Sequence, residues 1–137
     1  MHSISRVFCV AALLTVVAFV AMLNAQEKKV EQKSTILTGT LVDLACYAKG
    51  GFLTNDHGGM ENCGTMCAAG GLPVALVDAN KKVHFLGVPS KGYADYVGME
   101  LRLTGMYGKH AEVFIPEKLE VKENGKWVEK KLPKTMM

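Results

Sequence analysis

Residues 46–71 read C-Y-A-K-G-G-F-L-T-N-D-H-G-G-M-E-N-C-G-T-M-C-A-A-G-G, and they interrupt a chain whose flanks are patterned like β-strands. The stretch carries Cys46, His57, Cys63 and Cys67 in the spacing C-x10-H-x5-C-x3-C. Gly50-Gly51 and Gly58-Gly59 mark turns. Residues 60–69 predict a short helix ended by Gly70-Gly71, where a left-handed cap suits glycine. On that helix Met60, Cys63 and Cys67 share one face, with Met66 beside them. Cys46, at the end of the preceding strand, approaches from the scaffold side.

Working outward, residues 35–44 (T-I-L-T-G-T-L-V-D-L) are rich in β-branched and aliphatic side chains and predict one long strand, bent or bulged at Gly39. Asp43 near its end either orients the insert by accepting backbone N–H bonds or faces water. Beyond the insert, residues 73–78 and 82–87 are apolar runs joined by Ala79-Asn80-Lys81, a hairpin. Ser90 is placed to cap a short helix through Val97, closed by Gly98. Residues 100–107 alternate Leu101, Leu103 and Gly105 against Arg102, Thr104 and Met106, a half-buried strand. Residues 111–115 start a further strand that Pro116 interrupts and residues 119–122 resume. Asn124-Gly125 is a two-residue hairpin signal, with residues 126–130 around Trp127 as the return strand.

This order of strand, insert, hairpin, short helix, strand and strand predicts a mainly β fold. It is that of a small five-stranded barrel of the oligomer-binding (OB) type over residues 35–131, with its helix between strands three and four and the Cys/His insert 46–71 between strands one and two. Leu37-Thr38-Gly39-Thr40 and Leu103-Thr104-Gly105-Met106 echo each other, as two strands bending at glycines would. The tail, residues 132–137, is expected to fray.

A chain of 137 residues supports one domain with one modest core. Its beginning reads as an export signal: Arg6 is followed by an apolar run, residues 7–23, broken only by Thr15, and the expected cut falls after Ala25. Leu23 is larger than the residue usually found three before the cut, so an uncleaved membrane anchor is the alternative, and membrane contact is expected only in that case. Residues 26–34 are polar and form a flexible lead-in. The expected location is periplasmic or secreted. Removing the signal removes Cys9 and leaves three cysteines, so at most one internal disulfide forms and one sulfur remains. The net charge of +3 is interleaved along the chain, without a basic stripe carrying stacking aromatics, so no nucleic-acid partner is expected.

The insert supports two chemistries. Cys46, His57, Cys63 and Cys67 together supply three thiolates and an imidazole, a full tetrahedral set for zinc, and a thioether from Met60 or Met66 shifts the preference towards copper. Alternatively Cys46 pairs with Cys63 or Cys67 in a disulfide that staples the insert, worth about 2 to 4 kcal/mol. That leaves His57 and the third sulfur unexplained. A redox role for Cys63 and Cys67 is weaker, because C-x-x-x-C is not the thioredoxin-like spacing. No C-x-x-C-H marks covalent haem, and no nucleophile with its base or carboxylate pair suggests hydrolysis. His84 is expected on the solvent face of its strand, His110 in an exposed turn, and Phe85, Tyr93, Tyr96 and Tyr107 in the core.

The pattern T-G-T-L-V-D-L-A-C-Y, then His57, then C-G-T-M-C-A-A-G-G-L-P-V-A-L-V, V-H-F-L and M-E-L-R-L-T-G resembles a set of small exported bacterial proteins of uncharacterised function. The resemblance covers roughly residues 35–121. It implies the exported, OB-like scaffold and carries no chemistry. The expectation is an exported, non-enzymatic module for zinc or copper. The alternative is a disulfide-stapled domain that binds a protein or glycan in the cell envelope, or a subunit of an envelope complex.

Overall fold

β1 (Thr35–Asp43) is the strand on which the molecule, a computed structural model describing residues 33–133, is built. The expected signal (1–25), Cys9, most of the 26–34 lead-in and the last four residues of the tail lie outside the described residues. The first half of β1 pairs antiparallel with β4 (Glu100–Tyr107), from Thr35 opposite Gly105 to Thr40 opposite Glu100. Its second half pairs with β2 (Val74–Val77), from Thr40 opposite Val77 to Asp43 opposite Val74. Gly39 sits at this handover, where a Cβ would run into the Val77 carbonyl. The glycine therefore serves a close backbone approach, and the bend or bulge expected there is a straight ladder opposite Leu101.

The bulge falls in the echoing segment. Between β4 and β5 (Phe114–Glu123) the register shifts, with Thr104 opposite Lys118 and Gly105 opposite Pro116, so that Glu117 is the extra residue. A proline has no N–H for the ladder and is tolerated at such a point. β5 accordingly runs through Pro116 without a break.

The sheet has six strands in the order β3-β2-β1-β4-β5-β6, with β3 (Val83–Phe85) and β6 (Lys126–Lys130) at its edges and every paired neighbour antiparallel. It is open, which corrects the expected closed five-stranded barrel. The hairpin at Asn124 and Gly125, both at positive φ (50° and 76°), extends the sheet past β5 by a sixth strand. β3 is only three residues long. Beyond it, one parallel bridge between Leu86 and Phe114, with the Gly87 N–H donating to the Phe114 carbonyl at 2.9 Å, joins the β3 side to β5.

Three short helices complete the fold. α1 (Leu44–Gly50) was not expected. Asp43 is its N-cap, accepting from the Cys46 N–H at 2.9 Å, and Gly51 ends it in the left-handed conformation with φ 69°. α2 (Cys63–Ala69) starts later than predicted, because Met60 belongs to a tight turn with His57. At its end Gly71 takes the left-handed position, φ 98°, and the Leu72 N–H reaches back to the Cys67 carbonyl at 3.0 Å. A 3-10 helix (Ser90–Tyr96) precedes β4.

Successive residues of β1 point to opposite faces of the sheet. Leu41 belongs to the larger core with Leu76, Leu101, Leu103, Phe114 and Leu119, which also takes in Ala68 of α2 and Tyr93 of the 3-10 helix. Val42 joins Ala75 and Val77 in a smaller cluster, against which Leu44 and Tyr47 of α1 pack. The two helices of the insert thus grip opposite faces of the sheet, and Asp43 lies where they meet. Leu132 also packs against the larger core, so the tail is anchored at its first residue. Among the described residues no helix is long and apolar enough to cross a membrane.

Candidate metal centre

The elements around the end of β1 supply the candidate donors between them. The cap that starts α1 fixes Asp43 and puts Cys46 in the first turn; Asp43 is 2 % exposed. Gly58 and Gly59, at φ 65° and 79°, allow a two-residue turn in which His57 and Met60 exchange backbone hydrogen bonds, at 3.3 and 3.1 Å. Cys63 opens α2 and Cys67 follows one turn later, so both sulfurs leave the same side of the helix.

Asn55 ties the turn to α2. Its carbonyl accepts from the Gly64 N–H at 3.0 Å, and its side-chain oxygen accepts from the Thr65 N–H at 2.8 Å. Asp56 accepts from the Asn62 N–H at 2.7 Å. These are N–H groups that a helix start cannot satisfy internally. A Cβ on Gly64 would lie 2.5 Å from Val97 and 3.1 Å from the Asn55 oxygen, so glycine is what admits the loop.

The imidazole of His57 is set with equal care. Its Nδ1 lies 2.8 Å from the Thr54 carbonyl, which only accepts, so Nδ1 carries the hydrogen. In the neutral ring Nε2 then presents a lone pair. Nε2 is buried and is the one buried side-chain nitrogen or oxygen among the described residues without a hydrogen-bond partner. Asp43 Oδ2 lies 3.7 Å from it, beyond hydrogen-bond reach. Phe52 stacks on the ring, 4.8 Å between centroids and 6° from parallel, and fills the space left by Gly50.

Ligand atoms converge in two groups among the described residues. The sulfurs of Cys46, Cys63 and Cys67 lie within 4.8 Å of one another, and so do donor atoms of Asp43, Cys46 and His57. All are close enough to hold a metal ion. Cys46 belongs to both groups, whereas no single group takes in His57 with Cys63 and Cys67. The four residues singled out from the sequence thus meet at one place, as two overlapping sets sharing Cys46.

The three thiols are free and only half-buried. Partial burial, then the hydrogen bond and negative charge of Asp43, push the Cys46 thiol up to about 12. Burial, followed by the charges of Asp43 and Cys63, also raises Cys67. Crowded anionic donors suppress one another's ionisation, and a cation placed among them would reverse this.

Reading the sequence missed Asp43 as a donor, and missed Thr54, Asn55 and Phe52 as supports. Asp43 had a visible signal, an aspartate closing a strand ahead of a stretch with a glycine pair at its end. The supports act through space and leave no local pattern. Met60 and Met66 are exposed, at 54 % and 51 %.

His84 corrects its expected solvent position. It is buried at 5 % exposure, with Nδ1 2.5 Å from the Tyr107 hydroxyl and Nε2 3.2 Å from Asp78 Oδ2. Both ring nitrogens are therefore satisfied. His110 is exposed, as expected. Tyr93 is in the core, while Phe85 is exposed at 47 %.

Comparison with known proteins returned no matching family model, no matching curated protein and no matching solved structure.

Proposed function

We propose that this chain is an exported, non-enzymatic metal-binding module that takes zinc or copper at the cluster of Cys46, His57, Cys63 and Cys67, in which His57 binds on the side of Cys46. The observation that carries the reading is the orphaned Nε2 of His57, a buried lone pair fixed by Thr54 and aimed at a carboxylate and a thiol. A buried polar atom without a partner costs free energy, and a histidine that gives its other N–H to a carbonyl is the arrangement of metal ligands. Thiolate with imidazole suits zinc, and the three-sulfur set suits monovalent copper. Export rests on the leader-like run of residues 7–23. Outside the cytoplasm a bound metal would keep the thiols from oxidising. The strand order and the Leu86–Phe114 bridge support an OB-like scaffold, in which the connection between the first two strands is a habitual ligand site.

The test is metal analysis combined with thiol counting on protein purified from its exported form. Stoichiometric zinc or copper, with three thiols that react only after chelation, is the expected result. His57→Ala should lower metal retention while leaving the fold intact. One disulfide, one reactive thiol and no metal would instead identify a stapled domain that binds a protein or glycan. Because thiols such as Cys46 must lose a proton to bind, metal uptake should release protons and strengthen as pH rises, measurable with a pH indicator during titration.

A further inference from the structure

We propose that the cluster is a two-ion centre in which the Cys46 thiolate bridges a sulfur-rich position, completed by Cys63 and Cys67, and a mixed position, completed by Asp43 and His57. The inference rests on the metal-binding reading and extends it in ion number and in ligand, since Asp43 becomes a donor.

Three observations carry it. The donor atoms form two sets of three, each within 4.8 Å and sharing only Cys46. A single ion at the three sulfurs leaves the Nε2 of His57 orphaned and the free oxygen of Asp43 unmatched, 3.7 Å apart in a buried setting. One ion between those two leaves Cys63 and Cys67 outside its donor set. The charges agree. Three thiolates and a carboxylate carry four negative charges, which two divalent ions neutralise and one does not. Uncompensated charge in a half-buried site is costly.

Asp43 is built to serve both helix and metal. Its Oδ1 is held by the Cys46 N–H, which leaves Oδ2 directed towards His57. Each ion then has three protein ligands and one open position, the arrangement found where a metal also meets an exchangeable ligand. The two positions differ in softness: the first favours Cu(I) or zinc, the second a borderline divalent ion such as zinc.

The experiment is a titration of reduced, metal-stripped protein with Zn²⁺ alone against a chromophoric chelator. The wild type should take up two equivalents. Asp43→Asn keeps a side-chain oxygen for the α1 cap but loses the anionic donor, so it should take up one equivalent with an unchanged far-ultraviolet circular dichroism spectrum. The double variant Cys63→Ser with Cys67→Ser should also retain one equivalent, lost when His57→Gln is added. Saturation of the wild type at one equivalent with all three thiols protected would overturn the two-ion centre and leave the metal-binding reading standing. Two equivalents undiminished in Asp43→Asn would likewise overturn it. No Zn²⁺ uptake, with thiols reactive throughout, would remove both.

Discussion

Asn55 is not one of the candidate ligands, yet it ties the turn that carries His57 to α2. Its carbonyl and side-chain oxygen take two N–H groups at the start of α2, and its amide nitrogen donates to Asn62 at 3.1 Å. Replacing it by alanine strands the Thr65 N–H and loosens the turn that carries His57. Asn55→Ala should therefore destabilise the protein by about 1 to 3 kcal/mol, read from a denaturant midpoint. It should also weaken metal retention without removing a ligand, measured by chelator competition. A loss of stability with unaltered retention would mean that the loop does not position the histidine. Nothing in the local sequence T-N-D-H announces this role, because the partners of Asn55 lie up to ten residues away and are brought back by the fold.

Elements here begin and end where single residues settle a backbone conflict. α1 exists because Asp43 both ends a strand and caps a helix, a change of period that a run of apolar residues on each side conceals. Asp43→Ala should cost about 1 kcal/mol in the metal-free protein, and Asp43→Asn close to nothing, which thermal unfolding of the two apo-variants would resolve. The echo of Leu37-Thr38-Gly39 in Leu103-Thr104-Gly105 was legible in the sequence and has a steric cause: each glycine faces a carbonyl of the neighbouring strand, Val77 or Ile115. Gly39→Ala and Gly105→Ala should each destabilise by about 1 to 3 kcal/mol, since the obstruction is backbone and not a flexible side chain. The strands themselves were readable from alternation, β4 and β6 to the residue. Pro116 reads as a break in the sequence because the residue it opposes at the bulge lies across the sheet and not beside it in the chain.

For the molecule as a whole, the sheet carries a polar framework that involves none of the candidate ligand residues. Arg102 pairs with Glu120 through two bonds, Nε at 2.9 Å and a terminal nitrogen at 2.6 Å, and its guanidinium stacks over Trp127. Arg102 holds the Glu120 carboxyl below its usual range, and the hydrogen bond from His84 does the same for Asp78. Carboxylates depressed in the folded state contribute stability that is complete above their unfolded values, near 4, and lost as pH falls through the folded ones. Stability of the apo-protein should thus drop steeply below about pH 4, and Glu120→Gln should flatten that limb in urea titrations across the acid range. Closure was not legible, since the sixth strand and the brevity of β3 decide it together. The four candidate ligand residues could be singled out by type, because few other roles gather three cysteines and a histidine in one insert. Their division into two sets was not, for it depends on a helix cap and a two-glycine turn.

We propose above all that sulfur and imidazole from one insert hold a metal in common. X-ray absorption at the zinc edge of the zinc-loaded protein tests it most directly. The expected spectrum has a sulfur shell at about 2.3 Å together with a nitrogen or oxygen shell at about 2.0 to 2.1 Å, the latter losing its imidazole signature in His57→Ala. A spectrum holding nitrogen and oxygen neighbours alone, with no sulfur, would contradict it.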